Sequence, residues 1–186
     1  MKRLFTIFLP LFVSSALLSQ ITLEQFPKSL QLYPRDVVTN TARVHISGTA
    51  ASGVDSLIFT LEKSNGAVEK RALSLNDLVN GQFEVSFDIV AGLWSYDIRV
   101  ERKNAGNITL LEEALNVVAG DVFVIQGQSN AQSFAYSGDA NGWQNNFVRC
   151  FGTSNPTVFN DENWYFAEGN GYFSSGAVGQ WPLRMG

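Results

Sequence analysis

A serine stands in a small polar cluster directly after an apolar run, in the stretch Gly127-Gln128-Ser129-Asn130. If its hydroxyl projects into a cleft, it can act as a nucleophile. The backbone N–H groups of a following helical turn can then stabilise developing negative charge. A nucleophilic serine also needs a general base within hydrogen-bonding distance and a carboxylate that orients that base. The residue types therefore indicate acyl transfer as the candidate chemistry.

The elements around Ser129 are those that would present it to a ligand. Val122 to Gln126 form a short, almost unbroken apolar run, which predicts a strand buried on both faces. Gly127 ends this run, and a short helix is predicted to continue through residues 131–134. In open α/β sheets, ligands and reacting groups lie where strands end in this way.

The stretch from Asp121 to Ala131 resembles the first signature block of the SGNH (GDSL-like) hydrolases. Within that superfamily it is similar to the sialate O-acetylesterase and related carbohydrate-esterase branch, and the resemblance covers about residues 119–186. It implies that Ser129 is the nucleophile, that its own backbone N–H contributes to the oxyanion hole, and that Gln128 and Asn130 bind substrate. The family also uses a further Gly and Asn donor, and an Asp and a His near its C-terminus, none of which this sequence places.

Two alternatives compete with the nucleophile interpretation. The first is an ordinary strand-to-helix turn, in which Gly127 supplies the bend and Ser129 or Asn130 caps the helix. The second is the Gly-x-Ser-x-Gly elbow of α/β-hydrolases, but Ala131 replaces its last glycine and the expected earlier strands of that sheet are missing. We prefer the nucleophile because the whole apolar run and Asp121 flank the motif.

Neither a general base nor a metal or cofactor site is evident from the sequence. His45 is the only histidine, and it lies on an alternating segment far before the serine, so we expect a surface or edge residue there. Cys150 is the only cysteine and cannot form an internal disulfide; we expect a small buried apolar side chain. Because no Cys/His group has metal-binding spacing, we expect no metal and no cofactor.

The N-terminus predicts export. Lys2 and Arg3 precede a short apolar core that extends to Leu18, and small residues follow it. This pattern predicts that residues 1–19 are a signal peptide. A retained membrane anchor is the alternative, although the run is short and interrupted for a span. We therefore expect a secreted, periplasmic or cell-surface protein with no membrane span after cleavage. The net charge of −4, without a basic cluster, argues against a nucleic-acid partner.

Residues 20–119 predict an Ig-like, antiparallel β-sandwich. Several short segments alternate apolar and polar residues, with turns between them. The clearest core positions are Phe83, Val85 and Phe87 in one segment, and Trp94, Tyr96 and Ile98 in another. The predicted strands are residues 43–48, 56–62, 68–73, 82–89, 92–101 and 108–118, with a helical turn at residues 75–79.

Residues 120–186 predict the N-terminal part of an α/β, SGNH-type domain that continues beyond this sequence. A second strand is predicted at residues 146–152, parallel to the first, with an irregular substrate-facing loop at residues 164–172 and a helix start at residues 175–185. Aromatic and Asn residues are abundant here. They suit either a carbohydrate cleft or ordinary packing.

The expected function is that of an exported carbohydrate O-acetylesterase, a serine ester hydrolase that acts on an acetylated carbohydrate. The 186-residue chain alone is expected to be inactive because it lacks a base for Ser129. The alternative is a secreted carbohydrate-binding or surface-adhesion module without catalysis. The sequence gives no oligomeric state.

Overall fold

The computed structural model describes residues 21–50, 55–125, 142–152, 161–169 and 175–186. The predicted signal peptide, residues 1–19, lies outside the described residues, and so do Gln128, Ser129 and Asn130. The first strands are β1 (Ile21–Gln25), β2 (Leu32–Pro34), β3 (Thr41–Ala50), β4 (Ser56–Lys63), β5 (Val68–Ser74), β6 (Gln82–Val90), β7 (Tyr96–Asn104) and β8 (Asn107–Gly120), with a single 3₁₀ turn at Leu75–Asp77. Most of the predicted strands are confirmed to within a few residues at their ends.

These strands form two sheets. The smaller has the order β1-β3-β6, and the larger has the order β2-β8-β7-β4-β5. All of their pairings are antiparallel except that of β2 with β8, where Leu32 lies opposite Val118 in parallel register. The prediction of a wholly antiparallel sandwich is therefore wrong at this edge. β2 spans only three residues and carries no alternating pattern that could have indicated its pairing.

The two sheets enclose a common apolar core, as in a β-sandwich. Alternate residues of the central strands point inward, so Val44 and Ile46 of β3 are fully buried while His45 between them is not. The rings of Phe59 and Phe83, one from each sheet, lie 5.8 Å apart between centroids. Each fully buried side chain of this size contributes about 1.5–3 kcal/mol through removal of apolar surface from water.

The predicted core faces are confirmed in β6 and β7. Phe83, Phe87, Tyr96 and Ile98 are buried. The remaining two predicted positions, Val85 and Trp94, are only partly buried and pack against the same core.

Tight turns fix the register of the hairpins. Between β4 and β5 the chain turns at residues 64–67, and Gly66 has a φ of 89°, a left-handed conformation that favours glycine. Gly48 was predicted to end a strand, but β3 continues through it to Ala50. A Cβ atom at Gly48 would lie 2.1 Å from the carbonyl oxygen of Thr22, so glycine allows β1 to approach β3 closely.

After Gly120 the described residues differ from the prediction in their first element. The prediction of a strand from Val122 to Gln126, buried on both faces, is wrong for its described part. Val122 to Ile125 form no strand, and Val124 is 93% exposed. A buried strand requires hydrogen-bonded neighbours and covering layers, and no strand of the described part of the chain pairs with these residues.

The remaining elements are small. Strand β9 (Arg149–Phe151) pairs antiparallel with β10 (Trp164–Phe166), and helix α1 spans Gln180–Met185. The strand predicted at residues 146–152 is thus confirmed only over Arg149–Phe151, and its described partner is antiparallel. The loop predicted from residue 164 begins instead with β10, where Trp164 packs against Phe151 at 5.0 Å between ring centroids. Pro182 lies in the first turn of α1, as expected for proline.

Candidate functional site

The three residues predicted to form the site, Gln128, Ser129 and Asn130, lie outside the described residues, so their geometry carries no structural argument. The structure does describe the segment that precedes them, from Asp121 to Ile125. It also describes a cleft beside that segment. These two features are the parts of the candidate site that can be built from observed contacts.

The cleft is a cavity of about 720 Å³ between one end of the sandwich and the described residues that follow Gly120. The sandwich side contributes the connection between β6 and β7, including Leu93, and the polar side chains of Arg35 and Asn40. The opposite side is lined mainly by apolar residues that include Val122, Phe123, Phe151, Trp164, Pro182 and Met185. Mostly apolar walls with a few polar groups are typical of small-molecule sites.

The segment that follows β8 is anchored by an ion pair. Arg35 Nε donates to Asp121 Oδ1 at 2.8 Å, and Arg35 Nη2 donates to Asp121 Oδ2 at 3.0 Å. The hydrogen bond from the guanidinium lowers the pKa of the Asp121 carboxyl from its usual value. The backbone N–H of Arg35 also donates to the Gly120 carbonyl at 3.0 Å. Asp121 is therefore a charged acceptor held in a two-point contact.

Arg35 extends this contact to the smaller sheet. Its Nη1 donates to Asn40 Oδ1 at 2.7 Å. The Asn40 amide nitrogen in turn donates to the Ala91 carbonyl at 3.3 Å, and the Ala91 N–H donates to the Asn40 carbonyl at 3.0 Å. Since Ala91 directly follows β6, one guanidinium connects Asp121 to the ends of both sheets.

The segment after Asp121 presents apolar side chains to the cleft and to solvent. Val122 is 53% exposed, Phe123 52% and Ile125 37%. All three of these residues line the cavity. An apolar run of this kind is typical of a surface that contacts a ligand or another protein element.

Arg149 is a buried cation on the opposite side of the cleft. Its guanidinium lies 4.5 Å above the ring of Phe166, and its Nη2 donates to the Asn116 carbonyl at 3.4 Å. Nη1 donates to the carbonyl of Asn146. Burial lowers the pKa of Arg149 to about 10, so the side chain remains protonated at neutral pH. Arg149 thus links β9 to a carbonyl of β8, and its Nε is buried without an acceptor among the described residues.

Cys150 and His45 do not supply nucleophilic or basic groups at this cleft. Burial, with a smaller effect from Asp161, raises the pKa of the Cys150 thiol to about 11, so it stays protonated. Cys150 is half-buried rather than fully buried as expected. His45 has a side chain 41% exposed and lies 3.5 Å from Glu84 on the outer face of β3. It is a surface residue as predicted, but β3 is the middle strand of its sheet, not an edge.

Sequence reasoning missed Arg35, Asn40 and Arg149. Arg35 and Asp121 are 86 positions apart, and neither belongs to a motif that predicts pairing. Arg149 did carry a usable signal, because it is the only charged residue between Phe147 and Phe151. A lone charge inside an apolar strand commonly marks a buried group with specific acceptors.

The described ranges hold no cluster of three or more His, Cys, Asp or Glu side chains arranged to bind a metal ion. Over the same part of the chain, no helix has the length and apolar character needed to cross a membrane.

Comparison with known proteins gives no assignment. The chain matches no protein-family model, and no protein of curated function matches it. Its functional interpretation therefore rests on the motif at Ser129 and on the cleft next to the segment that leads to it.

Proposed function

We propose that this protein is the N-terminal part of an exported serine ester hydrolase that removes acetyl groups from carbohydrates. The observation that carries the proposal is the sequence Gly127-Gln128-Ser129-Asn130, reached through the segment from Asp121 to Ile125. The described part of that segment lines a cleft of a size suited to a small molecule. The resemblance of this stretch to the SGNH hydrolases supports an ester as the substrate.

In the proposed reaction, the Ser129 hydroxyl attacks the acetyl carbonyl of the substrate while a base removes its proton. The Ser129 backbone N–H donates to the oxyanion that forms, and Gln128 and Asn130 contact the sugar. Collapse of the tetrahedral intermediate releases the sugar hydroxyl and leaves an acetylated serine. Water then attacks this ester, and acetate leaves.

The base for Ser129 is proposed to come from outside these 186 residues. His45 is the only histidine of the chain, and it lies beside Glu84 on the outer face of β3. It is not among the residues that line the cleft. A histidine general base must lie within hydrogen-bonding reach of the serine, and His45 is held by a sheet that faces solvent.

An acetylated sugar fits the chemistry of the cleft walls. Trp164 and Phe151 offer aromatic faces on which sugar C–H groups can stack, and Phe151 is 51% exposed. Arg35 and Asn40 supply polar groups on the facing side. The domain that follows the sandwich is proposed to be of the α/β, SGNH type.

We also propose that the sandwich is Ig-like. The order β1-β3-β6 in one sheet and β2-β8-β7-β4-β5 in the other supports this, with β2 parallel to β8. The hydroxyl of Tyr96, at the start of β7, hydrogen-bonds back to the backbone of Val90. A tyrosine that closes this corner is a recurrent feature of immunoglobulin-like sandwiches.

The proposed export of the protein implies that its substrate is extracellular or periplasmic. Residues 1–19 are proposed to be removed, which would leave the protein secreted, periplasmic or at the cell surface. Mass spectrometry of the exported protein should find an N-terminus near Gln20, and a mature protein that retains Met1 would contradict this.

A second candidate is a secreted carbohydrate-binding or adhesion module without catalysis. The observation that favours it is the exposure of aromatic residues that line the cleft, with Phe123 52% and Phe151 51% exposed. Aromatic platforms bind sugars without any nucleophile. In that case Ser129 would be part of an ordinary turn.

A serine-directed phosphonate ester distinguishes the two candidates in the full-length protein. We expect covalent labelling of Ser129, located by peptide mass spectrometry, and loss of labelling in Ser129→Ala. Ser133→Ala is the matched control and should still be labelled, because Ser133 has no assigned role. A full-length protein that binds acetylated sugars but is not labelled would support the binding module instead.

A further inference from the structure

Val118 of β8 is buried although it lies outside the sandwich core. Its neighbours Val117 and Ala119 belong to that core, so Val118 points to the outer face of the larger sheet. Its side chain is only 2% exposed, and it lines the cleft together with Leu32, its partner in β2. An outer face that was free in solution would leave this valine exposed to water. The edge formed by β2 and β8 is therefore covered.

Beside Val118, β8 carries a β-bulge. The register between β7 and β8 shifts between Tyr96 and Ile98, which gives β8 one extra residue at positions 115–116. Asn116 of this bulge has a φ of 57°, a left-handed conformation that asparagine adopts more readily than most residues. Its carbonyl accepts a hydrogen bond from Arg149 Nη2 at 3.4 Å. The bulge thus offers a backbone acceptor to the part of the chain that follows the sandwich.

A second contact joins the same two parts with the donor and acceptor sides exchanged. Lys28 of the sandwich, four positions before β2, donates from Nζ to the Glu162 carbonyl at 2.9 Å. Glu162 also has a positive φ, 56°. Non-glycine residues stay in this conformation only where the surrounding structure holds them there. Each part therefore presents one carbonyl, on a left-handed residue, to a cation of the other part.

Arg149 is enclosed at this junction. The residue is 9% exposed, and its guanidinium lies 4.5 Å above the ring of Phe166 in β10. Its described acceptors are backbone carbonyls, which include those of Asn116 and Asn146. A buried guanidinium loses free energy when a donor is left without an acceptor. Separation of the sandwich from β9 and β10 would remove the Asn116 carbonyl, so Arg149 favours the joined state.

We propose that the outer face formed by Leu32, Val118 and the bulge at residues 115–116 is a docking surface for the domain that follows the sandwich. Arg149 is the residue that joins the two parts. The occupant is the chain's own continuation, because Arg149 and Glu162 contact the sandwich from that side. The sandwich is then a fixed support for the following domain, not a detached spacer. This role is independent of the proposed esterase activity.

Spin labels in the full-length protein, freed of its native cysteines, measure the relative position of the two parts. Lys70→Cys on β5 and Gln144→Cys after the sandwich are both at exposed positions, and the distance distribution between the labels should be narrow. Val118→Lys places a charge on the covered face without entering the sandwich core, so the narrow distribution should be lost. Leu110→Lys is the matched control on the same strand. Leu110 is 51% exposed, so this variant should keep the narrow distribution.

A second variant tests the two cation contacts without a new charge. Lys28→Ala combined with Arg149→Ala should also lose the narrow distribution, whereas Arg43→Ala, whose contact with Asp88 lies within the smaller sheet, should keep it. Hydrogen exchange of the β3 and β7 amides should stay slow in every variant, which shows that the sandwich remains folded. A broad distribution in the wild type, or a narrow one in Val118→Lys, would overturn the docking surface. A narrow distribution in the double variant would overturn the role of Arg149.

Discussion

The Tyr96 hydroxyl makes two hydrogen bonds with the backbone of Val90, accepting from its N–H and donating to its carbonyl, each at 3.1 Å. Tyr96 begins β7 and Val90 ends β6, so the contact closes the connection that crosses from one sheet to the other. The same connection contributes Ala91 and Leu93 to the cleft. The stability of the sandwich and the shape of the candidate site therefore depend on the same corner.

Replacing Tyr96 by phenylalanine should destabilise the protein by about 1–2 kcal/mol, because two hydrogen bonds of a buried hydroxyl are lost while the ring remains. Equilibrium denaturation measures the free energy of unfolding. Tyr33→Phe in the larger sheet is the control and should change it by less than about 0.5 kcal/mol at neutral pH. Equal effects of the two variants would show that the corner contact adds no stability.

Because both sheets share one core, truncating a single buried side chain should lower the free energy of unfolding substantially. Phe87 of β6 is fully buried, so Phe87→Ala should lower the free energy of unfolding by about 3–5 kcal/mol. Val68 of the edge strand β5 is 52% exposed, and Val68→Ala should cost less than about 1 kcal/mol. Denaturant midpoints compare the two variants. A small effect at Phe87 would mean that the two sheets do not enclose this ring.

The free energy of unfolding should decrease at high pH because the Tyr33 hydroxyl is buried. Burial raises the pKa of Tyr33 from its ordinary value of 10.0 to about 12. Between these two values the unfolded chain loses the phenolic proton while the folded protein keeps it, so unfolding becomes more favourable as pH rises. The contribution of Tyr33 is fully present below pH 10 and is lost as pH rises towards 12. Thermal unfolding between these pH values should be less pH-dependent in Tyr33→Phe than in the wild type, and identical slopes would contradict this.

The alternating strands could be predicted from the sequence because a period of two residues sets which side chains face the core. Phe83, Phe87, Tyr96 and Ile98 follow that rule. The parallel pairing of β2 could not be predicted, since its three residues carry no periodic pattern. Register between distant segments depends on tertiary contacts that a local pattern does not contain.

Less of the candidate site could be predicted. An apolar run indicates burial only if neighbours cover it, and Val122 to Ile125 have no covering strand among the residues described. The contact between Arg35 and Asp121 joins residues that are far apart in sequence, and neither residue type is unusual at a surface. The role of Ser129 was inferred from a motif, and that inference stays a prediction.

The 186-residue chain alone should show no Ser129-dependent esterase activity. Its only histidine, His45, lies on the outer face of the sandwich and cannot serve a cleft at the sandwich end. Hydrolysis of an aryl acetate is a sensitive assay, and the purified chain should match Ser129→Ala of the same length. Faster hydrolysis that disappears in Ser129→Ala would mean that a base is present within these residues.

The rate of acetate release from an acetylated sugar by the full-length protein and its Ser129→Ala variant tests the nucleophile most directly. Loss of the attacking hydroxyl should lower kcat by at least about a thousandfold, since every later step depends on the acetyl-serine. The free energy of unfolding should change little, because a hydroxyl that faces a cleft makes few packing contacts. Asn130→Ala should retain more activity than Ser129→Ala, as expected for a residue that contacts substrate or caps a helix. Wild-type turnover in Ser129→Ala would contradict the esterase assignment and favour the carbohydrate-binding module.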